Sequence, residues 1–250
     1  MLMRPVGGHA RLEVRIDDKR FVGADGRTTE VLRGLAFQAA AGEFTCLLGP
    51  SGCGKTTTLR IVLGLDRDYR GHIVLPGSQP TMAMVFQEPR LLPWRTVEEN
   101  VRLALPDATA QRPFDDLFDE LGLADMRSRF PGELSLGLAR RAALARAFAL
   151  QPDLLLMDEP FVSLDPPTAA QMRKLVLSVW QARPTTVLMV THHLREAIEL
   201  ADRLVFLTPR PARVLGEMTI HTPQSRRTSE LMVGLIEERL ARPEYANGTT

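Results

Sequence analysis

The chain has 250 residues, of which 44% are hydrophobic and 24% charged, and this is the composition of a globular protein with a sizeable core. The net charge of +1 gives no electrostatic case for binding nucleic acid or an anionic membrane surface. No apolar run approaches the roughly 18 residues of a membrane span, and the first residues lack the apolar segment of a secretory signal. With only two cysteines we expect a reducing compartment, and any contact with a membrane is expected to come through a partner protein.

The first part of the chain predicts strands around a glycine-rich loop. Short strands in residues 11–40 and 71–76, separated by polar turns, predict an antiparallel β layer. The apolar run Phe44 to Leu48 predicts a buried strand, and a helical pattern begins after Gly54. The loop between them matches the phosphate-binding pattern G-x-x-x-x-G-K-[ST] in the strand, loop and helix context that the pattern requires.

This loop has the chemistry that binds nucleotide phosphates. Its glycines allow positive φ angles, so successive backbone N–H groups and the N-terminus of the next helix can point at an anion. Lys55 is predicted to reach the β- and γ-phosphates of ATP, and the Thr56 hydroxyl to bind Mg²⁺. The alternative, a glycine-rich turn that matches by accident, is disfavoured by the flanking strand and helix. The predicted binding residues of the loop are Gly49, Pro50, Ser51, Gly52, Cys53, Gly54, Lys55 and Thr56.

An aromatic residue, Phe21, stands just ahead of the polar turn between the first two strands. Its ring could stack on an adenine base, or it could be a core aromatic at the end of a strand. The residues alone leave both possibilities open.

Residues 88–152 predict a mostly helical block, which we interpret as an inserted subdomain. The apolar strand Met82 to Gln87 precedes it, and Thr96 with Glu99 forms a capping-box pattern before a helical stretch. Short amphipathic helices follow, and Ser135 opens a long helix.

In the last hundred residues, buried apolar runs alternate with helical patterns, which predicts a parallel, doubly wound sheet. The predicted strands are 154–157, 185–190 and 203–207, and the predicted helices are 168–182, 194–201 and 228–241. A hairpin-like strand pair is expected near Val214 and Thr219. The domain prediction is one domain over residues 1–250, in which 11–87 and 153–250 form the core. The basic pairs Arg140-Arg141 and Arg226-Arg227 are expected to lie on solvated helix faces.

Polar residues follow the predicted strands, where ligands bind in sheets of this type. Asp158 can hold Mg²⁺, and Glu159 beside it can accept a proton from an attacking water. Gln87 has an amide that can contact both the metal and that water. His192 could donate to the γ-phosphate. The alternatives are a helix-capping Asp-Glu pair, a strand-terminal glutamine and a structural histidine; only the shared context favours the chemical roles.

The order of these motifs resembles that of the ATP-binding cassette subunits of ABC transporters, over nearly the whole chain. The motifs are Gly49 to Thr56, Gln87, LSLGLARR, LLLMDEP, SLD and THH. Within the family, FQEPRLLPW and PRPARVLGEMTI look most like the ATPases of nitrate, sulfonate and taurine importers. The resemblance implies an α/β P-loop NTPase fold with a mainly parallel central sheet, an antiparallel β subdomain and an inserted helical subdomain.

The resemblance also implies roles for particular residues. Phe21 would match the base-stacking aromatic, although the insert ADGRTTE lengthens its spacing, and Thr57 would join the phosphate and magnesium contacts. Asp165 would lie at a dimer contact, and His192 would be the switch histidine. ATP and Mg²⁺ would be the cofactors, with Thr56, Gln87 and Asp158 around the metal.

The implied partners are a second ATPase subunit, most simply a copy of this chain, and membrane permease subunits, with a solute-binding protein acting indirectly. The implied location is peripheral, at the cytoplasmic face of the cell membrane. Trp94 and nearby leucines would receive a helix of the permease, or they could simply pack the helical subdomain.

One motif departs from the family pattern, in which the signature is L-S-G-G-Q. Here it is Leu134-Ser135-Leu136-Gly137-Leu138. Ser135 and Gly137 can still face a γ-phosphate of the partner copy, but Leu136 adds bulk and Leu138 removes an amide. Hydrolysis is therefore expected to be weaker than in relatives with the full signature. Two other functions stay open: a nucleotide-gated protein without turnover, and an ABC ATPase outside transport.

Overall fold

A computed structural model describes residues 11–106 and 113–227, together with residue 234. In chain order its strands and α-helices are β1 (Leu12–Val22), β2 (Thr28–Ala39), β3 (Phe44–Leu48), α1 (Lys55–Val62), β4 (Arg70–Val74), β5 (Met82–Val85), α2 (Val97–Arg102), α3 (Asp115–Glu120), α4 (Leu136–Ala149), β6 (Leu154–Asp158), α5 (Pro166–Ala182), β7 (Thr186–Thr191), α6 (Leu194–Leu200), β8 (Arg203–Leu207) and β9 (Val214–Thr219). Of the helix predicted over 228–241, only residue 234 is described, and it is helical.

The chain divides into two compact units. The first unit is Met1–Pro80 with Thr186–Thr250, and the second is Thr81–Thr185. The helical block predicted over 88–152 falls within the second unit, which also contains β5 and β6. The finer domain boundaries stay a prediction.

The first unit contains a three-stranded antiparallel sheet in the order β2, β1, β4. The pairing of β1 with β2 runs from Leu12 opposite Ala39 to Val22 opposite Thr28. These two strands were predicted to be short, but they have 11 and 12 residues. Their pairing extends to the turn because the Gly23 N–H donates to the Arg27 carbonyl at 2.8 Å and closes the hairpin there.

A second set of strands in this unit, in the order β7, β3, β8, β9, provides the framework for the glycine-rich loop. β7, β3 and β8 are parallel, and all five residues of β3 are buried, as expected for a strand covered on both faces. The predicted strand pair near Val214 and Thr219 is wrong. These residues belong to one strand, β9, which pairs antiparallel with β8, with Leu204 opposite Met218. An apolar stretch as short as this does not indicate its partner.

In the second unit, β5 and β6 are parallel, and α4 packs against α2, α3 and α5. The start of α4 is fixed by Ser135, whose side-chain oxygen accepts a hydrogen bond from the Leu138 N–H. The capping box predicted for Thr96 and Glu99 is confirmed at the start of α2. The fold is thus the P-loop NTPase α/β class, with mixed sheets and an antiparallel β layer.

Two arginines that were expected on solvated helix faces are buried instead. Arg140 is 5% exposed and donates to the Pro160 carbonyl at 3.0 Å. Arg227 donates to the carbonyls of Ile198 and Ala201 at the end of α6. Buried guanidinium groups are tolerated because carbonyl groups accept the hydrogen bonds that water would otherwise accept. Two adjacent arginines in a sequence do not indicate that such acceptors are present. Among the described helices, none has the length and apolar character that a membrane span requires.

Candidate functional site

Lys55 organises the loop between β3 and α1. Its side chain is 4% exposed, and its ammonium donates to the carbonyl oxygens of Gly49, at 2.8 Å, and Pro50, at 3.0 Å. A cation held inside the curve of the loop is suited to attract phosphate oxygens. The predicted contact of Lys55 with the phosphates stays a prediction.

The N-terminus of α1 suits an anion. Its N-cap residue, Gly54, has a φ of 126°, a value that favours glycine, and offers no side chain to cap the first N–H groups. Lys55 opens the helix, Thr56 is exposed in its first turn and Thr57 is half-buried. Backbone N–H groups and the positive end of the helix dipole therefore meet the Lys55 charge at one place.

Close packing also requires glycine in this loop. A Cβ atom on Gly54 would lie 2.7 Å from Leu32 Cδ2, and one on Gly49 would lie 3.0 Å from Leu207 Cβ. Both distances are shorter than carbon atoms tolerate without displacement. The loop is therefore fitted against the end of β8 and against β2.

Both cysteines of the chain lie in or beside this loop and are buried as free thiols. Burial raises the pKa of the Cys46 thiol far above its usual value, and the nearby Glu196 carboxylate raises it further. Burial also raises the pKa of Cys53, although the Lys55 charge opposes the shift. Both thiols are protonated near neutral pH, so neither has the reactivity of a thiolate.

The predicted switch histidine follows β7, the strand beside β3. Leu48 lies opposite Thr191, so the chain reaches His192 at the edge of the sheet where β3 leads into the loop. The Thr191 hydroxyl donates to the Glu196 carboxylate at 2.9 Å and accepts from the His193 N–H at 3.0 Å. These bonds fix the turn that presents the exposed His192. Sequence reasoning missed the contact of Glu196 with Thr191. The signal that could have indicated it is a carboxylate on the otherwise apolar inner face of α6.

Phe21 lies at the far end of β1 in the first unit and is 45% exposed. The alternative that it is a core aromatic is therefore wrong. The Lys19 ammonium lies 4.5 Å from the centroid of its ring, and Asp66 accepts from that ammonium at 2.9 Å. The exposed ring is available for stacking, and its contact with adenine stays a prediction.

In the second unit, the structure brings Gln87 and the Asp158-Glu159 pair to one edge. β5 and β6 are parallel, with Val85 opposite Met157, so both strands end side by side. Asp158 is 7% exposed, whereas Gln87 is exposed. An amide and a buried carboxylate at the same edge can share a metal or its water ligands.

Glu159 has a strained backbone. Its φ is 44°, in the left-handed region that residues other than glycine rarely adopt. The turn that imposes this value is held by the Arg140 hydrogen bond to the Pro160 carbonyl. Arg140 therefore contacts the backbone directly after the predicted catalytic residue, a contact that sequence reasoning missed.

The departure from the family signature lies at the start of α4. Ser135 accepts from the Leu138 N–H at 3.3 Å, which leaves its hydroxyl hydrogen free to point elsewhere. Leu136 is 44% exposed, so its side chain occupies the surface beside Ser135. A Cβ on Gly137 would lie 3.2 Å from Thr168 Cγ2, which makes glycine the residue that fits here.

Asp165 forms the N-cap of α5. Its carboxylate accepts from the Thr168 N–H at 3.0 Å, and this hydrogen bond lowers the pKa of Asp165. The residue is exposed, so it can also face a partner, and its place at a dimer contact stays a prediction.

The segment after Gln87 displays an aromatic side chain. Trp94 is 68% exposed, so the alternative that it packs inside the helical subdomain is wrong. The buried Asn100 side chain shapes the segment by donating to the carbonyls of Leu92, Arg95 and Thr96 at 2.9–3.2 Å. Sequence reasoning missed Asn100, because a polar residue inside an amphipathic helix does not reveal that it is buried.

The described residues contain no group of three or more His, Cys, Asp and Glu side chains that could form a metal cage.

The known proteins to which this sequence is similar all belong to one family. The sequence pattern of the ABC transporter family matches residues 32–162. An aliphatic sulfonates import ATP-binding protein of Burkholderia lata is 41% identical over 84% of this chain and 79% of its own length. The proteins of the same name from Granulibacter bethesdensis and Bacillus subtilis are 45% and 36% identical, over 81% and 94% of this chain and 83% and 98% of their own lengths.

Known structures of the same kind of protein share the fold of this chain. A dimeric bacterial ABC transporter cassette matches with a TM-score of 0.72 at 24% identity, over 85% of this chain and all of its own. The post-hydrolysis form of that cassette, bound to ADP and inorganic phosphate, gives 0.70 with the same coverage.

The chain therefore belongs to the ABC transporter family and is an ABC-type ATPase. Among known members it is similar to the ATP-binding proteins of aliphatic sulfonate importers, as the two subfamily stretches predicted.

Proposed function

We propose that this chain is the ATP-binding and ATP-hydrolysing subunit of an importer, and that it couples hydrolysis to uptake of a small solute through separate membrane subunits. The observation that carries the proposal is the Lys55 ammonium, buried inside the glycine-rich loop at the uncapped start of α1. The similarity to ATP-binding proteins of aliphatic sulfonate importers supports import of an aliphatic sulfonate. Taurine, which also carries a sulfonate group, and nitrate are the other solutes of the same group of importers.

In the proposed mechanism, the loop N–H groups and Lys55 bind the β- and γ-phosphates of ATP. Thr56, Gln87 and Asp158 would hold Mg²⁺, which would neutralise part of the charge of the phosphate oxygens. Ser51, Gly52 and Thr57 add hydrogen bonds from the loop and from the first turn of α1, and Phe21 stacks on the adenine base.

The proposed hydrolysis step is an attack by water on the γ-phosphorus. Glu159 accepts a proton from this water while Gln87 orients it, and the bond from the γ-phosphorus to the bridging oxygen breaks. The products are ADP and inorganic phosphate. His192 donates a hydrogen bond to the γ-phosphate and so senses its loss.

The proposed assembly pairs two copies head to tail, so that Ser135 and Gly137 of one copy face the γ-phosphate bound by the other. The similar bacterial cassette is dimeric, which supports this arrangement. Permease subunits complete the assembly at the cytoplasmic face of the cell membrane, where this chain is peripheral, and a solute-binding protein delivers the solute. Reconstitution with its permease tests the proposal: solute uptake should require ATP, and uptake without ATP would contradict it.

A second function, a nucleotide-gated protein with little turnover, is favoured by one observation. Leu136 is exposed beside Ser135, where a bulky apolar group hinders a phosphate. We therefore predict that the double substitution Leu136→Gly and Leu138→Gln raises the rate of ATP hydrolysis about fivefold, the value of one ordinary hydrogen bond of ~1 kcal/mol.

The rate should be measured in the assembled transporter, with Leu65→Gly, an exposed leucine of the first unit, as the matched control. An unchanged rate in the double variant would show that the altered signature does not limit hydrolysis.

Trp94 gives a second prediction, about coupling. Replacing it with alanine removes the largest exposed apolar surface of the segment after Gln87, so solute uptake should fall at least tenfold while the ATP affinity stays unchanged. Uptake by vesicles and binding of a fluorescent ATP analogue measure the two quantities. Leu65→Ala is the control for loss of an exposed apolar side chain, and a loss of ATP binding in Trp94→Ala would contradict a coupling role.

A further inference from the structure

The turn of residues 208–213, between β8 and β9, overlaps one of the two stretches that resemble the nitrate, sulfonate and taurine importer ATPases. It has no role in the mechanism above. It is closed on itself, because the Thr208 N–H donates to the Arg213 carbonyl at 3.0 Å and the Arg213 N–H donates to the Thr208 hydroxyl oxygen at 3.1 Å. A turn closed in this way presents its middle residues at fixed positions.

The 208–213 turn is anchored on β2. The Ala212 N–H donates to the Val31 carbonyl at 2.8 Å, and the Ala212 carbonyl accepts from the Arg33 N–H at 3.0 Å. Ala212 is fully buried in this pairing. Two backbone hydrogen bonds therefore join the 208–213 turn to the middle of β2.

The glycine-rich loop meets the turn and β2 at two points. A Cβ atom added to Gly54 would lie 2.7 Å from Leu32 and 3.0 Å from Val31, so the loop backbone passes close to the middle of β2. At Gly52, the Arg210 Nε donates to the glycine carbonyl at 2.6 Å. The close approach at Gly54 leaves no room for a side chain, whereas the bond at Gly52 is a charge-assisted hydrogen bond from an exposed side chain.

We propose that Arg210 is a positioning residue for nucleotide binding. By holding the Gly52 carbonyl outward, it keeps the neighbouring N–H groups of the loop directed inward before the nucleotide arrives. A glycine-rich loop loses much conformational freedom when it becomes ordered. A loop that is already ordered binds its ligand more tightly, because that entropy is not lost on binding.

The test compares Arg210→Ala with Arg213→Ala, which removes an exposed arginine from the same turn. Binding of ATP and of ADP is measured by titration with fluorescent analogues, and the thermal unfolding of the nucleotide-free protein is measured alongside. We expect the dissociation constants for both nucleotides to rise about tenfold in Arg210→Ala only, as for loss of one charge-assisted hydrogen bond. Arg210→Lys, which keeps a donor and a charge, should recover part of the affinity.

The unfolding midpoint should stay unchanged in all three variants, because both arginines are exposed. Unchanged affinity in Arg210→Ala, an equal loss in Arg213→Ala, or a loss accompanied by a lower unfolding midpoint would each overturn the proposal. The inference rests on nucleotide binding at this loop, which the wild-type titration tests separately. Failure of the wild type to bind ATP would contradict the proposed function, whereas wild-type binding with an unaffected Arg210→Ala would contradict only the role of Arg210.

Discussion

Replacing Glu159 with glutamine is expected to lower the rate of ATP hydrolysis by about 10²–10⁴-fold, the usual contribution of a general base. Glutamine has nearly the shape of glutamate but cannot accept the proton of the attacking water. The ATP affinity should stay unchanged, because the phosphates are bound by the loop around Lys55. Phosphate release from the purified protein and titration with an ATP analogue measure the two effects.

The control for this substitution is Asp119→Asn, which removes an exposed carboxylate from the same unit. Its hydrolysis rate should equal that of the wild type. If Glu159→Gln retained more than about a tenth of the wild-type rate, general-base catalysis by this residue would be contradicted.

The second large effect is expected at Lys55. Replacing it with alanine should weaken ATP binding by about 100-fold, because two charge-assisted hydrogen bonds to phosphate, at about 1.5 kcal/mol each, are lost. The substitution also leaves the carbonyls of Gly49 and Pro50 without this donor, so the free energy of unfolding of the nucleotide-free protein should fall by about 1–3 kcal/mol.

The chain offers a matched control, since Lys174 is an exposed lysine on α5. Lys174→Ala should change neither nucleotide affinity nor stability. If Lys55→Ala bound ATP as tightly as Lys174→Ala, the loop would not be the phosphate site.

Much of the fold was predictable because its signals are local. The buried strand β3, the glycine-rich loop and α1 follow from an apolar run, a spacing of glycines and a helical period. The caps at Thr96 and Ser135 were visible as residue types at fixed offsets. In the same way, Asp158 and Gln87 were recognisable as candidate site residues because each follows an apolar run, and the two runs form neighbouring strands.

The remaining features depend on contacts between residues far apart in sequence. Arg140 was expected in solvent, but its carbonyl acceptor, Pro160, lies twenty residues further on. Nothing near Arg210 in the sequence indicates that it reaches Gly52, which is 158 residues away. The partner of β9 was missed for the same reason, because a short apolar strand does not specify its neighbour.

In the proposed dimer a complete site needs Lys55 from one copy and Ser135 from another, and this can be measured by mixing two inactive variants. One variant carries Lys55→Ala and the other Ser135→Arg, both in the Glu159→Gln background that prevents hydrolysis. We expect each variant alone to stay monomeric with ATP, whereas the mixture should form dimers with one trapped ATP, because only the mixed dimer contains one intact site. A mixture that stays monomeric, or Ser135→Arg chains that dimerise by themselves with ATP, would contradict the claim.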